Sequence, residues 1–209
     1  MSRRVGMGKF FGILAVFWLL AGAVQPSIAA STGPLGVIQS GTDRALEILR
    51  STQAGKAPSL RQREAEILGI VNAYFNFDEM AKRSLGRPWK DQTPEKRQEF
   101  VALFKQLLFN TYISRVESYT GSNEKVLYDS EKIEGDYALV KTHILLQSNQ
   151  NVDIEYRLRL ENGQWKVYDV VVEGISFVEN YRSQFASILA NDSFEGLLRK
   201  LREKVATRS

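Results

Sequence analysis

The nine residues Trp165 to Glu173 (Trp-Lys-Val-Tyr-Asp-Val-Val-Val-Glu) are apolar on both faces of any strand they form, and they run through Gly174 into a helix-period stretch ending at Phe185. A strand covered on both sides must lie inside a layered structure, with one face against something other than water. The N-terminus reads as an export signal. Arg3, Arg4 and Lys9 precede an apolar run from Phe10 to Val24, and Ser27-Ile28-Ala29 places small residues at the −3 and −1 positions of a cleavage site. The two ends together suggest an exported protein whose interior is open to an apolar guest.

Cleavage is expected after Ala29, with Ala30 as second choice, so residues 1–29 read as a leader and 30–209 as one domain. An uncleaved anchor is the alternative, but the run is short for a span of about 20 residues. Arg3-Arg4 is followed by Val5-Gly6, a poor match to a twin-arginine signal. The whole chain carries 28 basic against 24 acidic residues; without the three basic residues of the leader the balance is 25 to 24, a net charge of +1. A nearly neutral mature chain gives no reason to expect a nucleic-acid partner. With no cysteine there is no disulfide, no thiolate metal site and no lipid-anchoring thiol.

The first half reads as helical. Residues 31–36 form a lead-in, and a short amphipathic helix follows from Val37 to Thr52, broken by Gly55-Lys56-Ala57-Pro58. Ser59 is the expected N-cap of a helix reaching Phe75, and Phe77 to Leu85 is a further helix stopped by Gly86-Arg87-Pro88. Thr93-Pro94-Glu95 opens the longest helix, which ends near Tyr119-Thr120-Gly121 and carries a stripe from Phe100 to Val116 wider than one neighbour needs.

The hydrophobic period then falls to 2. Strands are expected over 126–133, 137–147, 152–161 and 165–173, joined by Glu134-Gly135-Asp136, Ser148-Asn149-Gln150 and the type I′ signal Asn162-Gly163. In the third, Val152, Ile154, Tyr156, Leu158 and Leu160 alternate with charged residues, giving one dry and one wet face. Helices over 175–190 and 194–205 close the chain, the second capped by Asp192 with Glu195 three positions on. Helices followed by an antiparallel meander make an α+β domain: a curved sheet of about four strands wrapped by helices.

Catalytic signals are sparse. The chain has no glycine-rich phosphate loop, nucleophile elbow or paired-histidine zinc motif, and its one histidine, His143, lies in an expected strand. Asp169, in phase with Trp165, Val167 and Val171, could share an apolar pocket with Tyr112 or Tyr181, the arrangement of an acid–base isomerase or hydratase. The plainer alternative has Asp169 bound to a backbone group or to an arginine. No catalytic residue, metal or cofactor is assigned, and the chain reads as a non-enzyme.

Three stretches carry a family resemblance: Phe77-Asp-Glu-Met-Ala-Lys-Arg-Ser-Leu-Gly-Arg-Pro-Trp89; Thr93-Pro-Glu followed by Phe100, Phe104, Leu107, Leu108, Thr111 and Tyr112; and Val172-Glu-Gly-Ile-Ser-Phe-Val-Glu-Asn-Tyr-Arg-Ser-Gln-Phe185. Together they resemble the MlaC family, also called the toluene-tolerance or Ttg2 family, over about residues 35–204. The resemblance implies a periplasmic phospholipid-binding shuttle that maintains outer-membrane lipid asymmetry. It implies an NTF2-like cone with an apolar cavity between sheet and helices. The implied partners are phospholipid as cargo, an inner-membrane Mla ABC transporter and an outer-membrane MlaA-type lipoprotein with a porin. A related branch handles hopanoids, so a carrier of another lipid stays open beside the isomerase- or hydratase-like enzyme and a chaperone module.

Acyl tails need apolar walls. The candidates are Phe77, Met80, Leu85 and Trp89; Phe104, Leu107, Leu108 and Tyr112 on the long helix; Val170 and Val172 on the last strand; and Ile175, Tyr181 and Phe185 beyond it. Periodicity does not separate cavity wall from solid core among them. Arg115 and Arg182 are candidates for a headgroup rim, or are ordinary surface or paired arginines.

Overall fold

The structure, a computed structural model, describes residues 33–51, 59–118, 125–146 and 150–207, with the backbone alone for 51, 60 and 114–118. The expected leader and its cleavage site lie outside the described residues.

Four helices come first. α1 (Pro34–Ser51) begins earlier than expected, because Pro34 presets the helical φ and has no amide hydrogen to leave unpaired in the first turn. α2 (Leu60–Tyr74) opens on a full capping box: Ser59 Oγ accepts from the Gln62 amide at 3.3 Å and the Ser59 amide donates to Gln62 Oε1 at 2.8 Å. Phe75 is already extended and bridges in parallel to Val167, so the helix stops one residue short of the expected end. α3 (Phe77–Leu85) is capped by Asn76, whose Oδ1 accepts from the Glu79 amide at 2.8 Å, and ends at Gly86 with φ 69°. A 3-10 turn over Arg87–Asp91 leads to α4 (Pro94–Ser118), 25 residues and so about 37 Å long.

The sheet is an antiparallel meander in the order β1 (Lys125–Glu134), β2 (Tyr137–Leu145), β3 (Asn151–Glu161), β4 (Gln164–Val172), β5 (Ile175–Ser176). The expected four strands are present. The fifth arises because Glu173 and Gly174, at φ 49° and 77°, repeat the two-residue left-handed turn of Asn162 and Gly163, at φ 50° and 77°. The turn folds Ile175 back onto Val172 as a strand residue. α5 (Phe177–Leu189) therefore starts two residues later than the sequence suggested, with Ser176 as N-cap. α6 (Phe194–Ala206) is capped by Ser193 and not by Asp192: Ser193 Oγ accepts from the Gly196 amide at 3.1 Å, while Asp192 pairs with Lys200 at 3.2 Å.

A register shift decides the two faces of β4. Arg157 opposes Asp169, but Leu158 opposes Val167, so Tyr168 is an extra residue and the strand changes phase there. Trp165, Val167, Val170 and Val172 share one face with Leu160, Leu158, Tyr156 and Ile154. Asp169 and Val171 point the other way with Arg157 and Glu155. The expected phase relation between Asp169 and Trp165 is thus corrected by the bulge, which periodicity alone cannot show.

Three apolar clusters result. The first joins α3, the N-terminal half of α4, α5 and α6 around Met80, Phe100, Phe104, Leu107, Phe185 and Leu197. The second covers the dry sheet face, from Ala138, Val140 and Leu158 to Val167 and Val170, with Ile38 of α1 upon it. The third joins α1, α2 and the C-terminal half of α4 through Leu49, Ile67 and Ile113.

Candidate functional site

The dry face of the sheet is not evenly covered. At one end Val140, Leu158 and Val167 are fully buried, at 0% exposure. At the other, Val126, Ile144, Val152, Ile154 and Val172 are only half-buried, and Ile175 on the short edge strand is 61% exposed. The register places Tyr128, Thr142, Ile154, Val172 and Ile175 in one row across that end. The half-buried residues at this end run across the sheet from β1 to β5, whereas at the other end the less covered residues are Ile133 on the edge strand β1, 51% exposed, and Leu160, half-buried, beside the sealed centre.

Two bridging helices span this face and the third cluster. α1 lends Leu35, Val37 and Ile38 to the sheet and Ile48 and Leu49 to the helical side; α2 lends Ile67 and Val71 to the helices and its cap residue Phe75 to the sheet. On the helical side Phe109 and Ile113 of α4 complete the wall. Tyr112 stacks on Phe177, and Phe177 packs against both the sheet cluster and the helical core. The sheet cluster and the Phe109–Ile113 cluster, joined by α1 and α2, thus make an apolar seam of hydrocarbon and aromatic carbon.

The hydroxyl groups inside it have partners. Tyr156 bonds Thr142, and Thr142 Oγ1 donates to the Ile154 carbonyl at 3.4 Å. Burial pushes the Tyr156 phenol up to about 12. Tyr128 is also raised by burial, despite its side-chain hydrogen bond to Thr42 of α1. These bonds neutralise the cost of placing polar oxygens in an apolar lining and tie α1 to the sheet.

The wall candidates divide between two places. Met80, Leu85, Phe104, Leu107, Leu108, Tyr181 and Phe185 pack into the helical core, where Phe104 sits 5.2 Å from the Tyr181 ring and 5.6 Å from Phe185. Phe77 and Trp89 lie on the margin of that core. Val170 and Val172 are on the sheet face of the seam, Tyr112 is at its junction with the core, and Ile175 is at its exposed end. Arg182 stands away from the seam, beside Gly86 and Glu179. The Arg115 side chain lies outside the described residues. Outside that set, the seam also takes in Ile38, Val140, Ile154, Tyr156, Leu158, Phe109, Ile113 and Phe177. The sequence signal for Ile154, Tyr156 and Leu158 was the strict alternation of β3, and for Phe109 and Ile113 the second half of the α4 stripe, set apart from Phe100, Phe104, Leu107 and Leu108; Ile38, Val140 and Phe177 lie outside both patterns.

Asp169 does not meet the tyrosines. It is 1% exposed; Oδ1 accepts from the Val178 amide at 3.0 Å, and Oδ2 accepts from Ser176 Oγ at 2.7 Å and Arg157 Nη1 at 2.9 Å. Its lone pairs are committed to holding the first turn of α5 and the β3 arginine, the plainer of the two sequence-based alternatives. Tyr181 is enclosed by Phe104 and Phe185, and Tyr112 by Phe177.

Two clefts open elsewhere. One, of about 390 Å³, lies between α3, the 3-10 turn and α5 over the wet face of β4; the other, of about 490 Å³, lies between Asn72, Phe77, Val101, Lys105 and Lys166. Both carry charged side chains, so neither is the apolar chamber expected of the cone.

The MlaC protein family profile matches residues 39–203. The chain is 25% identical over 207 residues, 97% of its own length and 95% of the relative's, to the intermembrane phospholipid transport system binding protein MlaC of Haemophilus influenzae. It is 26% identical over 179 residues to toluene tolerance protein ttg2D of Pseudomonas putida, covering 85% of this chain and 79% of that one. Its fold is similar to that of a phospholipid-binding protein from Ralstonia solanacearum solved in complex with a phospholipid, with a TM-score of 0.74 at 24% identity, covering 85% of this chain and 98% of the other.

Proposed function

The chain belongs to the MlaC family, and from that premise we propose that it is a periplasmic phospholipid carrier, exported by its leader, that moves lipid between the inner and outer membranes and so maintains outer-membrane asymmetry. Its partners in this reading are an inner-membrane Mla ABC transporter and an outer-membrane MlaA-type lipoprotein with a porin. The reading makes it a carrier without catalysis, and the commitment of Asp169 to the α5 cap and Arg157 supports that part of it. Among the described residues no helix is long and apolar enough to cross a membrane.

The observation that carries the proposal is the half-exposed end of the dry sheet face, joined through α1 and α2 to the apolar cluster of Phe109 and Ile113 on α4. Acyl chains need a wall of that kind and no polar readout. Tails entering the seam would point towards Val140 and Leu158, leaving the headgroup at the Val126–Ile175 end.

The energetics fix the kind of carrier. Removing two chains of about 16 carbons from water at about 0.8 kcal/mol per methylene is worth about 25 kcal/mol, beyond the practical ceiling of about 18–21 kcal/mol for reversible binding. The working reference state is therefore another apolar phase. Transfer between seam and bilayer is near neutral in free energy and slow unless docking opens the route.

Native mass spectrometry of the purified mature chain tests the proposal. A mass increment matching a diacyl phospholipid, lost on solvent extraction and regained on reloading, is the expected result. A ligand-free chain that takes up no phospholipid would contradict it.

A further inference from the structure

We infer that the 390 Å³ cleft between α3 and α5 is a docking site for a carboxylate-bearing segment of a partner protein. The inference rests on the carrier reading for why a partner should dock, and is tested apart from it.

The charges at the floor of the cleft are already paired, and Arg159, just outside the lining, is shared with Glu161 at 3.6 Å. Glu79, 8% exposed, takes Arg83 at 2.7 Å and Arg159 at 3.5 Å, and Asp169 takes Arg157 at 2.9 Å. The Arg83 guanidinium lies 4.2 Å from the Tyr168 ring centroid, a cation–aromatic contact that holds the two groups together. The wall is held by hydrogen bonds. Arg97 donates from Nε to the Trp89 carbonyl at 2.9 Å and from Nη2 to the Lys90 carbonyl at 3.0 Å, pinning the turn that presents Trp89 and Lys90.

The rim is not neutral. Lys82, Lys90 and Arg182 stand at the edge with Glu179 as the acidic residue among them. Lys82 only grazes Glu79 at 3.8 Å, and Arg182 is 3.6 Å from an exposed Glu179. Exposed pairs at such distances are weak and exchange readily for a better anion. A preorganised floor with an aromatic wall and a cationic rim suits an incoming carboxylate.

Position selects a protein segment over the cargo or a bilayer. Arg157 and Asp169 lie on the sheet face opposite Leu158 and Val167, so the cleft stays open to a partner while the seam is filled and is out of reach of a seated headgroup. Its shape is concave, and its rim side chains are charged, where a bilayer would call for projecting apolar ones.

The experiment uses the mature chain, in which Trp165 is buried and Trp89 is the tryptophan at the cleft. Tryptophan fluorescence is followed during titration with an acetylated, amidated hexaglutamate peptide. A saturable, salt-sensitive response is expected, weakened about tenfold or more in the double variant Lys82→Glu/Lys90→Glu, as reversed rim charges act on encounter and affinity together. Retention of the phospholipid mass by that variant supports a cleft separate from the seam; its loss overturns the separation. The docking assignment is overturned by an equal response to inorganic phosphate, which marks a free-anion site. It is overturned equally by cosedimentation with phosphatidylglycerol vesicles through the same lysines, which marks a membrane surface, or by no saturable response to the peptide. A wild-type chain without lipid would sink the carrier reading and leave the peptide result standing.

Discussion

Tyr112 and Phe177 stack face to face, with ring centroids 4.2 Å apart and planes 10° from parallel. This contact is where the long helix meets the start of α5. Phe177 also belongs to the sheet cluster, so one aromatic pair closes the boundary between a solid helical core and the apolar seam. Replacing Phe177 by Ala should cost about 2 kcal/mol, less than the 3–5 kcal/mol of a fully buried Phe→Ala change, because the ring is only half-buried. The denaturant midpoint reads the stability. Mass spectrometry should show a reduced lipid occupancy in the same variant; unchanged occupancy would remove the pair from the site.

The division of the apolar residues into core and seam can be checked directly. Ile154→Glu sits at the half-exposed end of the dry face and should leave the fold intact while lowering phospholipid occupancy at least about tenfold, as a charge in the seam opposes tail burial. Phe104→Ala, fully buried among Tyr181 and Phe185, should do the reverse: a loss of about 3–5 kcal/mol with the lipid content of the folded fraction preserved. If both variants lose lipid equally, the two clusters are not functionally separate.

Asp169→Asn tests the role of the buried carboxylate. The amide can accept from Val178 but cannot also satisfy Ser176 and Arg157 as a carboxylate does. Breaking a wholly buried pair costs about 3–5 kcal/mol. Arg157 is 39% exposed, so a loss nearer about 2 kcal/mol is expected in thermal or denaturant unfolding. The variant should still copurify with phospholipid.

High pH gives an independent probe of the seam. Tyr156 has its phenol raised from 10.0 to about 12, so the folded chain holds this proton after the unfolded chain has released it. Its contribution is fully present below about pH 10 and is lost as pH rises towards about 12. Stability should fall across that window, and Tyr156→Phe should flatten this part of the profile. A phenolate absorbance titration in which no tyrosine titrates late would contradict the burial of this hydroxyl.

Mixing lipid-loaded protein with bare liposomes should give slow exchange, because each tail must cross water at about 0.8 kcal/mol per methylene. Rapid, partner-free loss of lipid would mean that the seam opens unaided.

The amino-acid sequence by itself determined the class of the fold and most of its element boundaries. The period change after the long helix, the Ser59 capping box, Asn162-Gly163 and the alternation in β3 act through neighbours a few residues apart, so they are legible in one dimension. The three signature stretches likewise carried the family. Tertiary structure alone decided which apolar residues join the helical core and which join the clusters beside α1 and α2. Phe104 and Ile113 lie on one helix with the same chemistry, and only their distant neighbours, Tyr181 in one case and Leu49 with Ile67 in the other, separate them. It also decided where Asp169 points, since a single inserted residue at Tyr168 reverses the phase of the strand without altering its composition. Hydrophobic periodicity records that a side chain is sheltered from water; what shelters it depends on chain segments brought together from far along the sequence.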